Sequence, residues 1–95
     1  YKISISTRCQ YEIEEAIEFY CLHSQVAPLN FIKTLENTYS NLSINPFYQI
    51  RYKNIRSISI KKFPFPLYYT VNEESKTIKI LACFHNKKNP SKRPI

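Results

Sequence analysis

The chain contains no glycine in 95 residues, where average usage of ~7% would supply about seven. That absence constrains backbone and chemistry together. Glycine takes positive φ without steric cost and lets a ligand approach the main chain closely. Without it there is no G-x-G-x-x-G turn, no Walker loop and no G-x-x-G clamp on nucleic acid. One domain is expected at this length. A chain of this size buries too little surface to enclose a large cofactor, and none is expected. With 43% hydrophobic and 15% aromatic residues, the composition favours folding over disorder.

No run approaches the roughly 18 apolar residues of a membrane span, and none resembles a signal-peptide core. Tyr1 is not a methionine, so a true start upstream is expected. Cys9, Cys21 and Cys83 are odd in number and form no C-x-x-C pair. They point to a reducing cytoplasm rather than a disulfide framework. Cys21/His23 and Cys83/His85 are poorly spaced for zinc, so no metal is expected.

Charge divides the chain in two. Residues 1–47 carry Lys2, Arg8 and Lys33 against Glu12, Glu14, Glu15, Glu18 and Glu36, a net −2. Residues 48–95 carry eleven basic side chains against Glu73 and Glu74, a net +9. The plain reading is a solubilising surface. The sharper one is a field that attracts nucleic acid or an acidic polypeptide.

Residues 2–6 alternate polar and apolar, as a half-buried strand does. Thr7 and Gln10 have the spacing of a capping box. Cys9, Ile13, Ala16, Ile17 and Tyr20 then form a helical stripe, with Glu12, Glu15 and Glu18 on the solvated side. Pro28 fits only the first turn of a second helix, whose stripe is Ile32, Leu35, Tyr39 and Leu42 with Phe31 flanking. Pro46 ends it. Strands are expected at Ile55–Lys61, Leu67–Val71 and Thr77–Phe84, with Asn72 as the residue that takes φ > 0 in the last turn. Ile78, Ile80, Ala82 and Phe84 are expected on one face. The order is β-α-α-β-β-β, an α+β domain with a helical hairpin on one face of a small, mainly antiparallel sheet. The domain is expected to span 1–86, with 87–95 a basic tail.

The helix pattern Tyr11-x-Ile13-Glu14-Glu15-Ala16-Ile17-x-Phe19-Tyr20 and the stretch Arg51-Tyr52-x-x-Ile55-Arg56 belong to one larger pattern. Phe63-Pro64-Phe65, Leu67-Tyr68-Tyr69-x-Val71 and Ile80-Leu81-Ala82-x-Phe84-His85-x-x-Lys88-x-Pro90 complete it. In this order and spacing the chain resembles the RelE/ParE superfamily of small bacterial toxins, also called plasmid stabilisation proteins. The resemblance implies a cytoplasmic toxin neutralised by a cognate antitoxin, as a homodimer or a hetero-oligomer with it. ParE-like members act on DNA gyrase. RelE-like members are metal-independent endoribonucleases that cut mRNA on the ribosome. RelE-like members place an arginine early in the strand that here begins at Leu67; the matching position is Pro66. They also place a basic residue after the last strand, here His85-Asn86-Lys87-Lys88. The Phe63-Pro64-Phe65 approach is closer to the ParE side.

The residues thus set apart are Arg51, Arg56, Lys61, Lys62, Tyr68, Lys87 and Lys88, for contact with target or antitoxin. Arg56 is equally suited to an ion pair, and single lysines to plain solvation. Tyr52 is a further ring for stacking, whereas Tyr69 shares the phase of Leu67 and Val71 and belongs in the core. His85 is the catalytic candidate of the nuclease reading, since histidine can act as acid or base near neutral pH. Its plain reading is a surface residue at a strand end.

Overall fold

The structure, a computed structural model, describes residues 1–84. Its elements are β1 (Lys2–Ile5), α1 (Thr7–His23), α2 (Ala27–Ile44), β2 (Ile50–Tyr52), β3 (Ile55–Ile58), β4 (Leu67–Asn72) and β5 (Thr77–Cys83). The sheet runs β1-β5-β4-β3-β2. β1 pairs parallel to β5, and every other pairing is antiparallel. This is the expected α+β arrangement with one strand more, β2.

β1 ends at Ile5, and Ser6 stays extended (φ −67°, ψ 157°). Its hydroxyl therefore lies free to accept the Cys9 N–H at 3.1 Å, so Ser6 rather than Thr7 caps α1. The same hydroxyl donates to the Leu81 carbonyl at 2.8 Å, tying the helix start to β5. At the other end of the hairpin, Ser24 Oγ accepts from Val26 and Ala27 N–H. Pro28 falls in the first turn of α2, where its missing N–H costs nothing.

The hairpin buries Cys9, Ala16, Phe31, Leu35 and Leu42 against Leu67, Tyr69, Ile78, Ile80 and Cys83 of the sheet. The buried set on α2 is Pro28, Phe31, Leu35, Thr38 and Leu42, at steps of three, four, three and four. Ile32, one residue and about 100° further round the helix, sits at the exposed edge. The expected stripe was therefore rotated by one residue at its start. Thr38 is tolerated in the core because its hydroxyl donates to the Thr34 carbonyl at 2.8 Å.

A bulge in β5 breaks the alternation that the sequence suggests. Tyr69 pairs with Ile80 but Tyr68 with Ala82, leaving Leu81 as the extra residue. Ile78, Ile80 and Cys83 consequently join the core under the helices. Ala82 and Phe84 are turned to the opposite face, where they pack with Tyr68 and Ile55. Their expected place beside Ile78 and Ile80 was wrong for this reason.

Without glycine, three lysines take the left-handed backbone among the described residues: Lys53 (φ 51°), Lys62 (φ 71°) and Lys76 (φ 55°). Lys76, not Asn72, has this role in the β4–β5 turn. Asn72 instead uses its side-chain carbonyl to accept the Ser75 N–H at 3.1 Å. Lys53 opens the two-residue turn between β2 and β3, where positive φ matches the strand twist.

Candidate partner-binding surface

β3 and β2 form one end of the sheet, and the basic residues collect there. Arg51 is exposed on β2, and Lys61 and Lys62 are exposed in the turn after β3. No acidic residue lies between Glu36 and Glu73, so local charge here is uncompensated from within the segment. Arg56, on β3, is half-buried. Its Nη1 donates to the Tyr48 carbonyl at 2.6 Å, and its guanidinium lies 5.3 Å from the centre of the Phe47 ring. On the neighbouring strand Tyr69, paired with Arg56, donates its hydroxyl to the Pro46 carbonyl at 2.8 Å. Together they fasten the segment joining α2 to β2. Among the described residues Arg56 thus takes a carbonyl and a ring, not the carboxylate of an ion pair.

Tyr69 is in the core, as expected, and its hydroxyl pKa is raised by burial. Tyr68 faces the opposite way but is only 4% exposed, its ring packed against Ala82, Phe84 and Ile55. Base stacking on Tyr68 would require that cluster to open. The exposed rings at this end are Phe47, Tyr48 and Tyr52, with the Lys53 ammonium 5.3 Å from the Tyr52 ring centre. Phe47 and Tyr48 carried no periodic signal, since they follow Pro46 in an irregular segment. His85, Lys87 and Lys88 lie outside the described residues, as does the tail.

The approach to β4 is apolar. Pro66 is buried, and Phe63 and Phe65 set their rings 5.2 and 5.9 Å from that of Phe31. Tyr20 closes the cluster at 5.3 Å from Phe63. Pro66, the position matched above to an arginine of RelE-like proteins, is thus buried and carries no charge.

With these elements placed, the family can be read from the whole chain. Residues 3–90 match the ParE toxin of type II toxin-antitoxin system, parDE. The chain belongs to this ParE toxin family. No curated protein matches it. A type II toxin implies a cognate antitoxin as partner.

Two features of this ParE-family chain bear on chemistry. The Cys9 thiol is pushed up to about 12, chiefly by burial and then by the Glu12 charge, with Arg8 opposing. Cys83 is raised by burial first, then by Cys9 and Glu12. Both thiols are therefore packing groups and not nucleophiles at neutral pH. Among the described residues no group of three or more His, Cys or Glu is arranged to hold a metal ion. No helix among them is long and apolar enough to cross a membrane.

Glu12 has a role beyond the solvated face on which its spacing put it. Its Oε1 accepts the Cys83 N–H at 3.0 Å, and its Oε2 meets Arg8 Nε at 3.3 Å. The acid holds the end of β5 against α1, and Arg8 also lies 5.8 Å from the centre of the Phe84 ring. Glu12→Ala leaves a partly buried N–H without its partner and is expected to cost about 1–3 kcal/mol. Urea unfolding followed by circular dichroism measures the loss. Glu18→Ala on the exposed face serves as the reference substitution.

Proposed function

We propose that this toxin acts in the cytoplasm by inhibiting DNA gyrase, through contacts made by side chains on the basic end of the sheet. The observation that carries this reading is that Pro66 is buried, directly after a segment whose Phe63 and Phe65 rings pack on Phe31. Cleavage of RNA through the 2′-hydroxyl needs cations around the crowded phosphate. A buried proline where the nuclease branch has arginine removes one of them. Inhibition by binding needs only a charged, shaped surface.

The test is induction of the intact chain in a host without its antitoxin, paired with a supercoiling assay on purified gyrase. Growth arrest with DNA-damage signalling and lost supercoiling is the expected result. Rapid loss of translated mRNA with gyrase unaffected would overturn the proposal in favour of the nuclease. In that case His85→Ala would lower cleavage on the order of 10²–10⁴-fold if the imidazole is acid or base.

A further inference from the structure

Lysine is a poor choice for left-handed backbone. Its Cβ crowds the carbonyl, and glycine or asparagine takes the same φ at lower cost. The chain nonetheless holds Lys53 at φ 51°, Lys62 at φ 71° and Lys76 at φ 55°. Strain kept at an exposed residue points to a use for its side chain. Lys76 has one at hand, since its ammonium lies 5.3 Å from the centre of the Tyr1 ring and its turn includes Glu73 and Glu74. Among the described residues Lys62 has neither a ring nor an acid as partner, and Lys53 has only the ring of its exposed neighbour Tyr52.

These two lysines stand at the ends of β3. Lys53 opens the turn before it. Lys62 is third in the turn 60–63 after it, which the Phe63 N–H closes on the Ile60 carbonyl at 3.0 Å. That is the position at which a type II turn needs φ > 0. The turn is anchored on both sides: Ile60 is buried, and the Phe63 ring lies 5.2 Å from Phe31 and 5.3 Å from Tyr20. Arg51 on β2 and Lys61 beside Lys62 are exposed as well. The four cations span about 20 Å, at roughly 3.3 Å per residue of β3 and its extension. None of them is in an ion pair among the described residues.

Such a row suits a polyanion that holds its own charges as stiffly. A surface that reads single strands offers open rings on which bases stack. Here the rings are engaged, Phe47 with Arg56, Tyr52 with Lys53 and Tyr68 in its apolar cluster. What stays free is charge, and a stiff duplex presents a phosphate every roughly 3.4 Å of axis on each strand. We infer that Arg51, Lys53, Lys61 and Lys62 bind the phosphate backbone of duplex DNA, whatever its base sequence. Glu73 and Glu74, which line an open hollow with Asn54, repel the duplex from the β4 side and keep it on β2 and β3. The inference rests on the gyrase reading and names what the basic end touches there: the DNA that gyrase holds, not a face of the enzyme.

The probe is a fluorescently labelled DNA duplex of about 20 base pairs, longer than the row of cations. It is titrated with the full chain, without gyrase, and read by anisotropy. Micromolar binding is expected, with log affinity falling against log salt at a slope of about −3 to −4 for four neutralised phosphates. The variant Lys53→Gly with Lys62→Gly relieves the left-handed backbone, so its urea midpoint is expected to hold or rise. Its duplex affinity is expected to fall at least about tenfold, and its salt slope to shrink by about two. Lys33→Ala with Lys76→Gly removes the same charge elsewhere and is expected to leave duplex affinity within about twofold at ~0.1 M salt. The toxin concentration that halves gyrase supercoiling is expected to rise for the first pair and not for the second.

Absent duplex binding, or an affinity that the first pair lowers no more than the second, overturns the site. Tighter binding of a single-stranded RNA of equal length overturns duplex DNA as its occupant. Undiminished gyrase inhibition by the Lys53→Gly, Lys62→Gly variant, with its duplex binding weakened, overturns the role in inhibition and leaves the gyrase reading standing. Duplex binding that depends on the two lysines, in a chain that leaves gyrase untouched, supports the site and overturns the gyrase reading.

Discussion

Phe31→Ala is expected to lower the unfolding free energy by about 3–5 kcal/mol, a third or more of the total for a domain of this size. Phe31 is fully buried, and its ring meets Tyr20 at 5.6 Å, Phe63 at 5.2 Å and Phe65 at 5.9 Å. Three parts of the chain converge on it: α1, α2 and the proline-rich approach to β4. Truncation removes the ring's buried area and leaves a cavity that rigid aromatic neighbours collapse into poorly. Ile32→Ala, one residue along, is expected to cost less than about 1 kcal/mol, because that side chain sits at the exposed edge. Urea titration of both variants, read by circular dichroism, measures the contrast. Equal losses would mean that the helix is rotated from the orientation described above.

That pair of residues also shows what a sequence can and cannot convey. The existence of α2 was legible, because Pro28, the apolar spacing and Pro46 bound it from both sides. Its rotation was not. Phe31, Ile32 and Leu35 all satisfy a helical period within one step, and the choice is made by rings at 63 and 65 that lie far away in sequence. The same limit hid the bulge at Leu81. Ile78-Lys79-Ile80-Leu81-Ala82 alternates plausibly straight through. What shifts it is pairing with Tyr68 and Tyr69 and the use of the Leu81 carbonyl by Ser6.

The site was legible in its charge and less so in its shape. Arg51, Lys61 and Lys62 lie exposed, as isolated basic residues do. Arg56 and Tyr68 are drawn inward by partners distant in sequence, a carbonyl at Tyr48 in one case and Phe84 in the other. β2 was missed because three residues are too few for periodicity. The signal available was the Lys53-Asn54 pair between Arg51-Tyr52 and Ile55-Arg56, a two-residue hairpin turn in which lysine stands where glycine or asparagine is usual.

The second large effect is alkaline. Burial is the leading cause of raised pKa at Cys9, Cys83, Tyr39 and Tyr69. Tyr39 makes the case sharpest, since its buried hydroxyl has no hydrogen-bond partner among the described residues. For each group the folded chain holds the proton more tightly than the unfolded chain, where thiols titrate near 9.0 and phenols near 10.0. The stability they contribute is thus complete below pH 9 and is lost as pH rises toward the folded values, about 12 for Cys9. Between these limits each group removes a little over about 1 kcal/mol per pH unit. The two thiols together should cost roughly 5 kcal/mol by pH 11, with the tyrosines adding to that above pH 10. Urea midpoints measured from pH 7 to 11 should be level to about pH 9 and then fall steeply, and Cys9→Ala should shallow the fall. Iodoacetamide gives a second reading of the same opening. At neutral pH it should modify exposed Cys21 quickly and spare buried Cys9 and Cys83, whereas above pH 10 all three should react together as the core opens. A midpoint unchanged from pH 9 to 11 would mean that these groups are hydrated in the folded chain, and the packing of α1 and α2 on β5 would have to be redrawn.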